Sequence, residues 1–358
     1  MKVDLETIKD RMLAFWAGES IGRAFLAVDA PLDPGANISV FHNDDREMAG
    51  DREAIRSYWE DPEIIRQNSL KRMERAWYGG EKFPVIFQNY GPGGQCRYFG
   101  AKPVYGNDTI WFSPEWAEIP EIVVLDESEV ERQQNIARAL TAGAGSDYLV
   151  GMPDNCGTYD AILQLRGAEN LMSDFIEAPE DLEKAARDID RICNEIHERF
   201  YLISRDINCG GVHAWMHLWA PGRIVQMQCD FSVMVSTGIF ERFALPELHR
   251  QSEWSDYAVY HFDGIAQERH LDMILSVPGL RAVQWSAVAG EPPPSHSIPI
   301  LRRIQQANKN LIVMCPPEDV APLLDNLSSR GLYLHTTAST PEEGKDILRM
   351  VERQSTVR

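Results

Sequence analysis

Residues 257–264 join an apolar run to two side chains that can do chemistry, His261 and Asp263. The segment reads YAVYHFDG, and its apolar, aromatic first half predicts a buried strand. Residues two apart on a strand project from the same face, so the imidazole and the carboxylate should lie side by side. Such a pair can hold a metal or move a proton. It can equally be a buried histidine that a structural acid orients.

Seven other apolar segments alternate with helical patterns in the same way, which indicates repeated β–α units. The predicted strands cover residues 23–31, 83–91, 147–154, 223–230, 257–264, 280–286, 310–315 and 331–337. Strands that are apolar throughout are typical of a parallel sheet buried on both faces. Eight such units predict an α/β protein with a (β/α)8 TIM-barrel fold.

Two elements are predicted outside the repeated units. Residues 4–17 have apolar side chains at helical spacing, which predicts an N-terminal helix. Residues 99–116 are short, aromatic and turn-rich, which predicts a β-hairpin excursion. Residues 47–77 are expected to be helical and charged. A chain of 358 residues with 44% hydrophobic content suffices for one elaborated barrel domain over residues 1–358.

The carboxyl ends of the strands meet at one face of a TIM barrel, where active sites lie. Polar and aromatic residues mark these predicted ends, and together they offer thiol, imidazole, amide and carboxylate groups. They are Asp29, Asn89, Tyr90, Asp154, Cys229, Asp230, His261, Asp263, Gln284, Trp285, Cys315 and His335. Zinc takes ligands from such groups. The same groups can carry out acid–base chemistry without a metal, so both alternatives stay open.

His213 and His217 are spaced as a metal-binding pair on a helix would be. No glutamate follows His213 as the HExxH motif requires, and Trp215 and Trp219 interleave with the histidines. We interpret the segment as the aromatic lining of a pocket, with Trp215 as a substrate-binding candidate.

The charge of the chain limits its partners. It carries 35 basic and 54 acidic residues, a net charge of −19, which argues against nucleic acid as a partner. No apolar run approaches the ~20 residues of a membrane span, and the charged start MKVDLETIKDRM lacks the core of a signal peptide. A cytoplasmic protein with a small-molecule substrate is therefore expected.

Several motifs, in this order and spacing, resemble the uroporphyrinogen decarboxylase superfamily. They are GPGGQCRYFGAKPVYGNDTIWF, LRGAENLMSDFIEAPEDL, MQCDFSVMVSTGIFERFALPEL, YHFDG and TPEEGKDILRMVE, and the resemblance covers most of the chain. The superfamily contains the decarboxylase and also zinc-dependent methyltransferases that take methyl groups from corrinoid proteins.

The chain departs from both branches of this superfamily. The decarboxylase has an arginine-rich motif near its first strand, where this chain reads AFLAVDAPLDPGANISVF without paired arginines. The methyltransferases have His-x-Cys on the fifth strand and another cysteine after the eighth. His261 matches the histidine, but Asp263 stands in place of the first cysteine, and the later position falls near Thr337 or Ala338.

The resemblance implies a methyltransferase or demethylase that acts on a small methylated compound with a corrinoid protein as partner. Zinc would then be held by an oxygen-rich set, His261 and Asp263 with Cys315 or His335, and Asp230 would be a catalytic carboxylate. One alternative is a metal-free decarboxylase or lyase on an acidic small molecule other than uroporphyrinogen, in which Asp29, Asp230 or Asp263 handles protons. The others are a different metal-dependent reaction and a non-catalytic small-molecule-binding barrel. A homodimer is the expected assembly.

Overall fold

The main element of the fold is a seven-stranded, mostly parallel sheet. The computed structural model describes residues 3–41, 51–144 and 147–358. In chain order, strands β1 to β13 are Phe25–Pro31, Ala76–Gly80, Val85–Ile86, Lys102–Tyr105, Ile110–Ser113, Leu149–Val150, Gly211–His213, Leu218–Ala220, Ile224–Met227, Tyr257–Asp263, Leu280–Ser286, Asn310–Met314 and Leu332–Thr337. Helices α1 to α13 are Leu5–Trp16, Arg52–Glu60, Pro62–Glu74, Glu127–Ala142, Thr158–Arg166, Ala168–Glu177, Pro179–Asn208, Thr237–Ile239, Leu245–Trp254, Leu271–Leu275, Ile298–Gln306, Val320–Asn326 and Pro341–Gln354.

The order of the main sheet is β2-β1-β13-β12-β11-β10-β9. All its pairs are parallel except β2 with β1 at one edge. The first strand therefore pairs with the last, as Asp29 does with Thr337. All the parallel strands in this sheet end on the same side, so the side chains at their carboxyl ends share one edge.

Each of the eight predicted strands contains an observed strand, and the α/β class is confirmed. Closure into a barrel is not confirmed, because β3 and β6 pair only with each other and are two residues long. Beside β6, side-chain amides take the place of some of the backbone hydrogen bonds that a neighbouring strand would make. Asn208 accepts from the amide of Val150 at 3.0 Å and donates to its carbonyl at 2.7 Å, and Gln88 donates to the carbonyl of Gly151.

One hydrophobic cluster joins the main sheet to the β3–β6 pair. Each of the eight predicted strands contributes a buried side chain to it: Phe25, Val85, Leu149, Ile224, Val259, Ala282, Ile312 and Tyr333. Residues on the opposite faces of the strands, such as Phe262 and Val283, pack in a second, larger cluster with the helices. The strands are thus buried on both faces, as their apolar sequences predict.

The N-terminal helix and the hairpin are confirmed, as α1 and as the antiparallel pair of β4 and β5. The helical prediction over residues 47–77 is confirmed for most of the described part of this range and is wrong at Ala76 and Trp77, which begin a strand, while residues 47–50 lie outside the described ranges. Two helices, α2 and α3, meet at Asp61, and the strand β2 follows them. The break has a local cause, because Asp61 caps α3 with its side chain while Pro62 cannot continue α2.

Carboxylates and hydroxyls fix several helix starts. The side chains of Asp4, Asp51, Asp126 and Thr340 each accept a hydrogen bond from a backbone amide in the first turn. Each such cap is worth about 1 kcal/mol. Over the part of the chain that the structure describes, no helix combines the length and apolar character that a bilayer crossing requires.

Candidate active site at the carboxyl ends of the strands

Asp230, His261 and Asp263 form a cluster in which one ligand atom from each residue lies within 4.8 Å of the others. His261 and Asp263 lie on β10, and Asp230 follows the neighbouring strand β9 at the start of a short 3-10 turn. The two strands are paired in parallel, so they deliver these side chains to the same edge of the sheet. The cluster, called the Asp–His–Asp cluster below, contains the type of groups that bind a divalent metal.

The position of the His261 ring is fixed from the neighbouring strand. Gln284 on β11 is in register with His261, and its side-chain oxygen lies 2.5 Å from the ring Nδ1. The amide of Gln284 donates in turn to Ser286 Oγ at 2.8 Å, so its oxygen is the atom that faces the imidazole. Nδ1 must then carry a proton, and in the neutral form of the ring Nε2 keeps its lone pair. A lone pair on Nε2 is what a metal needs.

The free nitrogen of His261 faces the carboxylate of Asp263 without bonding to it. His261 Nε2 and Asp263 Oδ1 are 3.9 Å apart, which is too long for a hydrogen bond. Two metal–ligand bonds of about 2.0–2.2 Å can span this separation. The side chains are 14% and 33% exposed, so both can be reached from outside the core.

Two buried carboxyl groups stand next to this pair. Asp160, in the first turn of α5, accepts the backbone amides of Asp230 and Phe231 at 3.0 and 2.9 Å. Burial and the charge of Asp230 raise the pKa of Asp160 to about 7. Burial and the charge of Asp263 raise the pKa of Asp230 to about 7 as well. Three carboxylates therefore crowd one place, and a bound cation would relieve their repulsion.

The proton of this carboxyl pair belongs on Asp230. Both oxygens of Asp160 already accept backbone amides, which favours its ionised form. Asp230 accepts from Gln228 at 2.9 Å through Oδ2, while its buried Oδ1 has no hydrogen-bond partner among the described residues. Asp230 can thus act as an acid near pH 7, or lose its proton to become a ligand.

A row of amides links this carboxyl group to β7. Gln226 accepts from Nε2 of His213 at 2.7 Å and donates to Gln228, which donates to Asp230. The other neighbour of His213 is Asp154, at 3.3 Å. Each glutamine accepts at one end and donates at the other, so the row holds Asp230 in one orientation.

Trp215 connects the cluster to a large cavity. Its ring stands edge-on to His261, with the ring centroids 5.5 Å apart, and its Nε1 donates to both oxygens of Asp154 at 2.9 and 3.0 Å. Trp215 and Ser286 also line a cavity of about 990 Å³. This volume lies at the upper end of the range for small-molecule sites.

The far wall of this cavity holds an ion pair and two buried histidines. Lys82 lies 2.9 Å from Asp29, whose other oxygen accepts from the hydroxyl of Thr337 at 2.8 Å. His217 and His335 line the same wall, and burial, with the charge of Lys82, holds the pKa of each well below its usual value. Both rings are therefore neutral, and Nε2 of His335 has no partner in the described ranges.

The structure does not bring every predicted residue to the cluster. Cys315 lines the cavity but is not part of the Asp–His–Asp cluster, and burial raises the pKa of its thiol. Trp285 points to the opposite face of β11, where it stacks on Phe262 at 5.2 Å in the core. Successive side chains on β11 point to opposite faces of the sheet, so Gln284 faces the cluster and Trp285 faces away from it. This position does not support a substrate contact for Trp285.

Three more predicted residues lie away from the cluster. Asn89 borders a small separate pocket and accepts from the amide of Gly91. Tyr90 is buried in a side cluster with Ile136 and Leu140, and Cys229 is buried in the core. Burial raises the pKa of both Tyr90 and Cys229.

His213 and His217 do not form a metal pair. They lie on either side of a tight turn rather than on a helix, and His217 has a backbone φ of 46°. Nδ1 of His217 lies 3.1 Å from the carbonyl oxygen of Phe83, whereas His213 contacts Gln226. The interpretation of this segment as pocket lining agrees with the position of His217.

Sequence reasoning missed Asp160, Gln228 and Lys82. A signal existed for Gln228, because Gln226, Gln228 and Asp230 follow one another at the two-residue spacing of one strand face. Asp160 lies on a helix and Lys82 precedes a strand, so neither follows the strand-end rule by which the other candidates were found.

Comparison with known proteins supports the fold. No protein-family model matches the sequence, and no curated protein matches it. A solved structure, a methyltransferase from Methanosarcina mazei, is similar with a TM-score of 0.58 over 96% of this chain and 98% of that chain. The two sequences are 13% identical, so the similarity establishes that the two chains share a fold.

Proposed function

We propose that the protein is a metal-dependent methyltransferase that takes a methyl group from, or gives one to, a small compound, with a corrinoid protein as partner. The observation that carries the proposal is the Asp–His–Asp cluster beside the large cavity. Its position at the carboxyl edge of a parallel sheet is where α/β barrels place their chemistry.

The residues of the cluster fit a zinc ion. Zinc accepts imidazole nitrogen and carboxylate oxygen and leaves one position open in catalytic sites. His261 presents Nε2, and Asp230 presents a buried oxygen without a hydrogen-bond donor among the described residues. Cys315 lies outside the cluster, so we propose Asp230 in its place as the third ligand.

The residues around the metal position would hold and orient the reactants. Zinc bound there would supply a Lewis acid to the methyl donor or acceptor. Gln284 would keep Nε2 of His261 aimed at the metal, and Trp215, which contacts the His261 ring, would form an apolar side of the substrate cavity next to the cluster.

Two further observations support the proposal. A closed eight-stranded barrel is supported by the pairing of β1 with β13 and by the interior cluster to which all eight predicted strands contribute. The similar structure from Methanosarcina mazei is named a methyltransferase. Because the sequence identity between the two proteins is low, this similarity is one of fold, and the function has to be argued from the site.

A metal-free decarboxylase or lyase is the second candidate. The observation that favours it is the carboxyl pair of Asp160 and Asp230. Burial raises both pKa values to about 7, helped by the charge of Asp230 in the case of Asp160 and by the charge of Asp263 in the case of Asp230. A carboxyl group with that pKa serves well as a general acid or base at neutral pH. Here Asp230 would transfer the proton, and Asp160 would hold Asp230 in place by accepting its backbone amide.

Metal analysis of the purified protein separates the two candidates. We expect about one zinc per chain in the wild type, little in His261→Ala, and an unchanged amount in Cys315→Ser. Methyl transfer would be measured by the visible spectrum of methylcobalamin with a thiol acceptor, and should be lost in His261→Ala while the melting temperature is retained. A wild-type protein that binds no zinc and whose variants all bind none would contradict the metal-dependent proposal and leave the second candidate.

A further inference from the structure

A basic groove of about 570 Å³ lies at the amino-terminal ends of β12 and β13, across the sheet from the Asp–His–Asp cluster. Four of its lining residues are cationic: Arg302, Lys309, Arg330 and Arg358. Its lining includes no aspartate or glutamate within the described ranges. Such a group is unexpected on a chain with a net charge of −19.

No carboxylate of another residue pairs with these four cations in the portion of the chain that is described. They donate to backbone and amide oxygens instead. Arg302 bonds the carbonyl and side-chain oxygens of Asn326, and Lys309 donates to the carbonyl of Leu280 at 2.9 Å. Arg330 donates to the carbonyl of Gly18 at 2.5 Å, and Arg358 donates to that of Leu327 at 2.9 Å. A guanidinium has five N–H donors, so each arginine keeps several for a ligand.

The carbonyl partners explain only part of the charge. Helices α1, α11 and α12 all end at this groove, and a helix C-terminus carries about half a negative charge. Three such ends do not balance four full positive charges. Burial and the charge of Arg281 also lower the pKa of Lys309, which agrees with a positive local potential.

We propose that this groove binds a small molecule through a phosphate or pyrophosphate group. Phosphate oxygens match the forked guanidinium donors, and a multiply charged group can contact several of the four cations at once. The volume falls within the range of small-molecule sites. The site is separate from the proposed methyl-transfer chemistry and does not depend on it.

Local features fix the backbone around the groove. Asn308, in the left-handed conformation with a φ of 57°, ends the turn after α11. Gly331 has a φ of 62°, and a side chain there would come within 2.4 Å of Asn310 Oδ1. Asn310 is itself held by a hydrogen bond to the carbonyl of Phe15. The backbone around the cations is thus held by packing and hydrogen bonds within the chain itself.

Calorimetric titration with pyrophosphate, at constant ionic strength, tests this site. We expect saturable binding to the wild type and at least a tenfold weaker affinity in Arg302→Gln/Arg330→Gln. Arg349→Gln removes an exposed charge that pairs with Asp346 outside the groove, so it should keep wild-type affinity. Pyrophosphate could also bind a metal at the Asp–His–Asp cluster, so the titration is repeated in His261→Ala. Binding in the groove should persist in this variant.

Melting curves without ligand show whether the double variant is folded, and Arg358→Gln provides a second, milder test that should weaken binding severalfold. Absence of saturable binding to the wild type would overturn the proposal. So would binding that both groove variants retain in full, or binding that disappears in His261→Ala.

Discussion

The side-chain oxygen of Gln284 lies 2.5 Å from Nδ1 of His261, and the two residues are paired in register on adjacent strands. This contact decides which nitrogen of the ring is free. Because Gln284 is fully buried and also bonds Ser286, it cannot easily turn to offer its amide instead. In the proposed metal site, His261 would therefore depend on a neighbour that does not itself touch the metal.

Replacing Gln284 by methionine should lower zinc affinity by about 10–100-fold, because the ring loses the acceptor that orients it. Competition with a chromogenic zinc chelator would measure the change. Gln133→Met is a matched control, since Gln133 is also fully buried but bonds Tyr98 and Glu129 away from the site. Equal zinc affinities for the two variants would mean that Gln284 does not orient a ligand.

Asp263→Asn should lower zinc content sharply, because the neutral amide no longer supplies an anionic ligand. The fold should persist, since the Asp263 side chain is 33% exposed and little packing is lost. Elemental analysis together with thermal melting would check both statements. If zinc affinity falls only about 10–100-fold, Asp263 orients His261 instead of binding the metal.

Raising the pH from about 6 to 9 should lower the stability of the metal-free protein. Burial, and next the charge of Asp190, raise the pKa of Glu247 to about 8, so the folded state holds a proton that the unfolded state has lost. Stability then falls as pH rises towards the folded pKa, by about 1.4 kcal/mol per pH unit for one proton.

Glu247→Gln should reduce this pH dependence, because the amide cannot ionise. Denaturant unfolding at pH 6, 7.5 and 9 would measure it. Asp160 and Asp230 titrate in the same direction, so part of the slope should remain. A variant with the full wild-type slope would show that Glu247 is not protonated in the folded state at pH 6.

Gly157→Ala should destabilise the protein by about 1–3 kcal/mol through backbone strain. A clash of the new methyl group with a neighbouring carbonyl should add to this loss. Gly157 has a φ of 74°, and an added Cβ would lie 2.3 Å from the carbonyl oxygen of Gln228. Gly290→Ala is the matched control, since Gly290 has a φ of 91° and nothing within 4 Å. Thermal melts should show the larger loss for Gly157→Ala, and equal losses would rule out the clash.

The strands could be predicted because their signal is local. A parallel strand buried on both faces is apolar along its length, so all eight appear in the sequence as short apolar runs. Polar residues at the ends of such runs then pointed to Asp230, His261 and Asp263, which the structure brings within ligand distance. The strand β2 was not predicted, because its sequence AWYGG is short, contains two glycines and pairs only at a sheet edge.

What could not be predicted depends on side-chain direction and on distant partners. Trp285 and Gln284 are adjacent in sequence but face opposite sides of the sheet, and only the register of β11 decides which one reaches the site. Asp160 meets Asp230 through 70 residues of intervening chain. The short pairing of β3 with β6 depends on an amide from Asn208, which no pattern near either strand reveals.

The parallel pairing of β1 with β13 also sets the order in which the sheet can form. Asp29 and Thr337, which are hydrogen-bonded across these strands, lie 308 residues apart. While the chain emerges from the ribosome, β2 can cover one edge of β1 early, but the other edge has no native partner until residues Leu332–Thr337 have been made. For that period one edge of an apolar strand stays open to wrong pairing, so the sheet, and a site built at its edge, can be completed only after the last of these strands has been made.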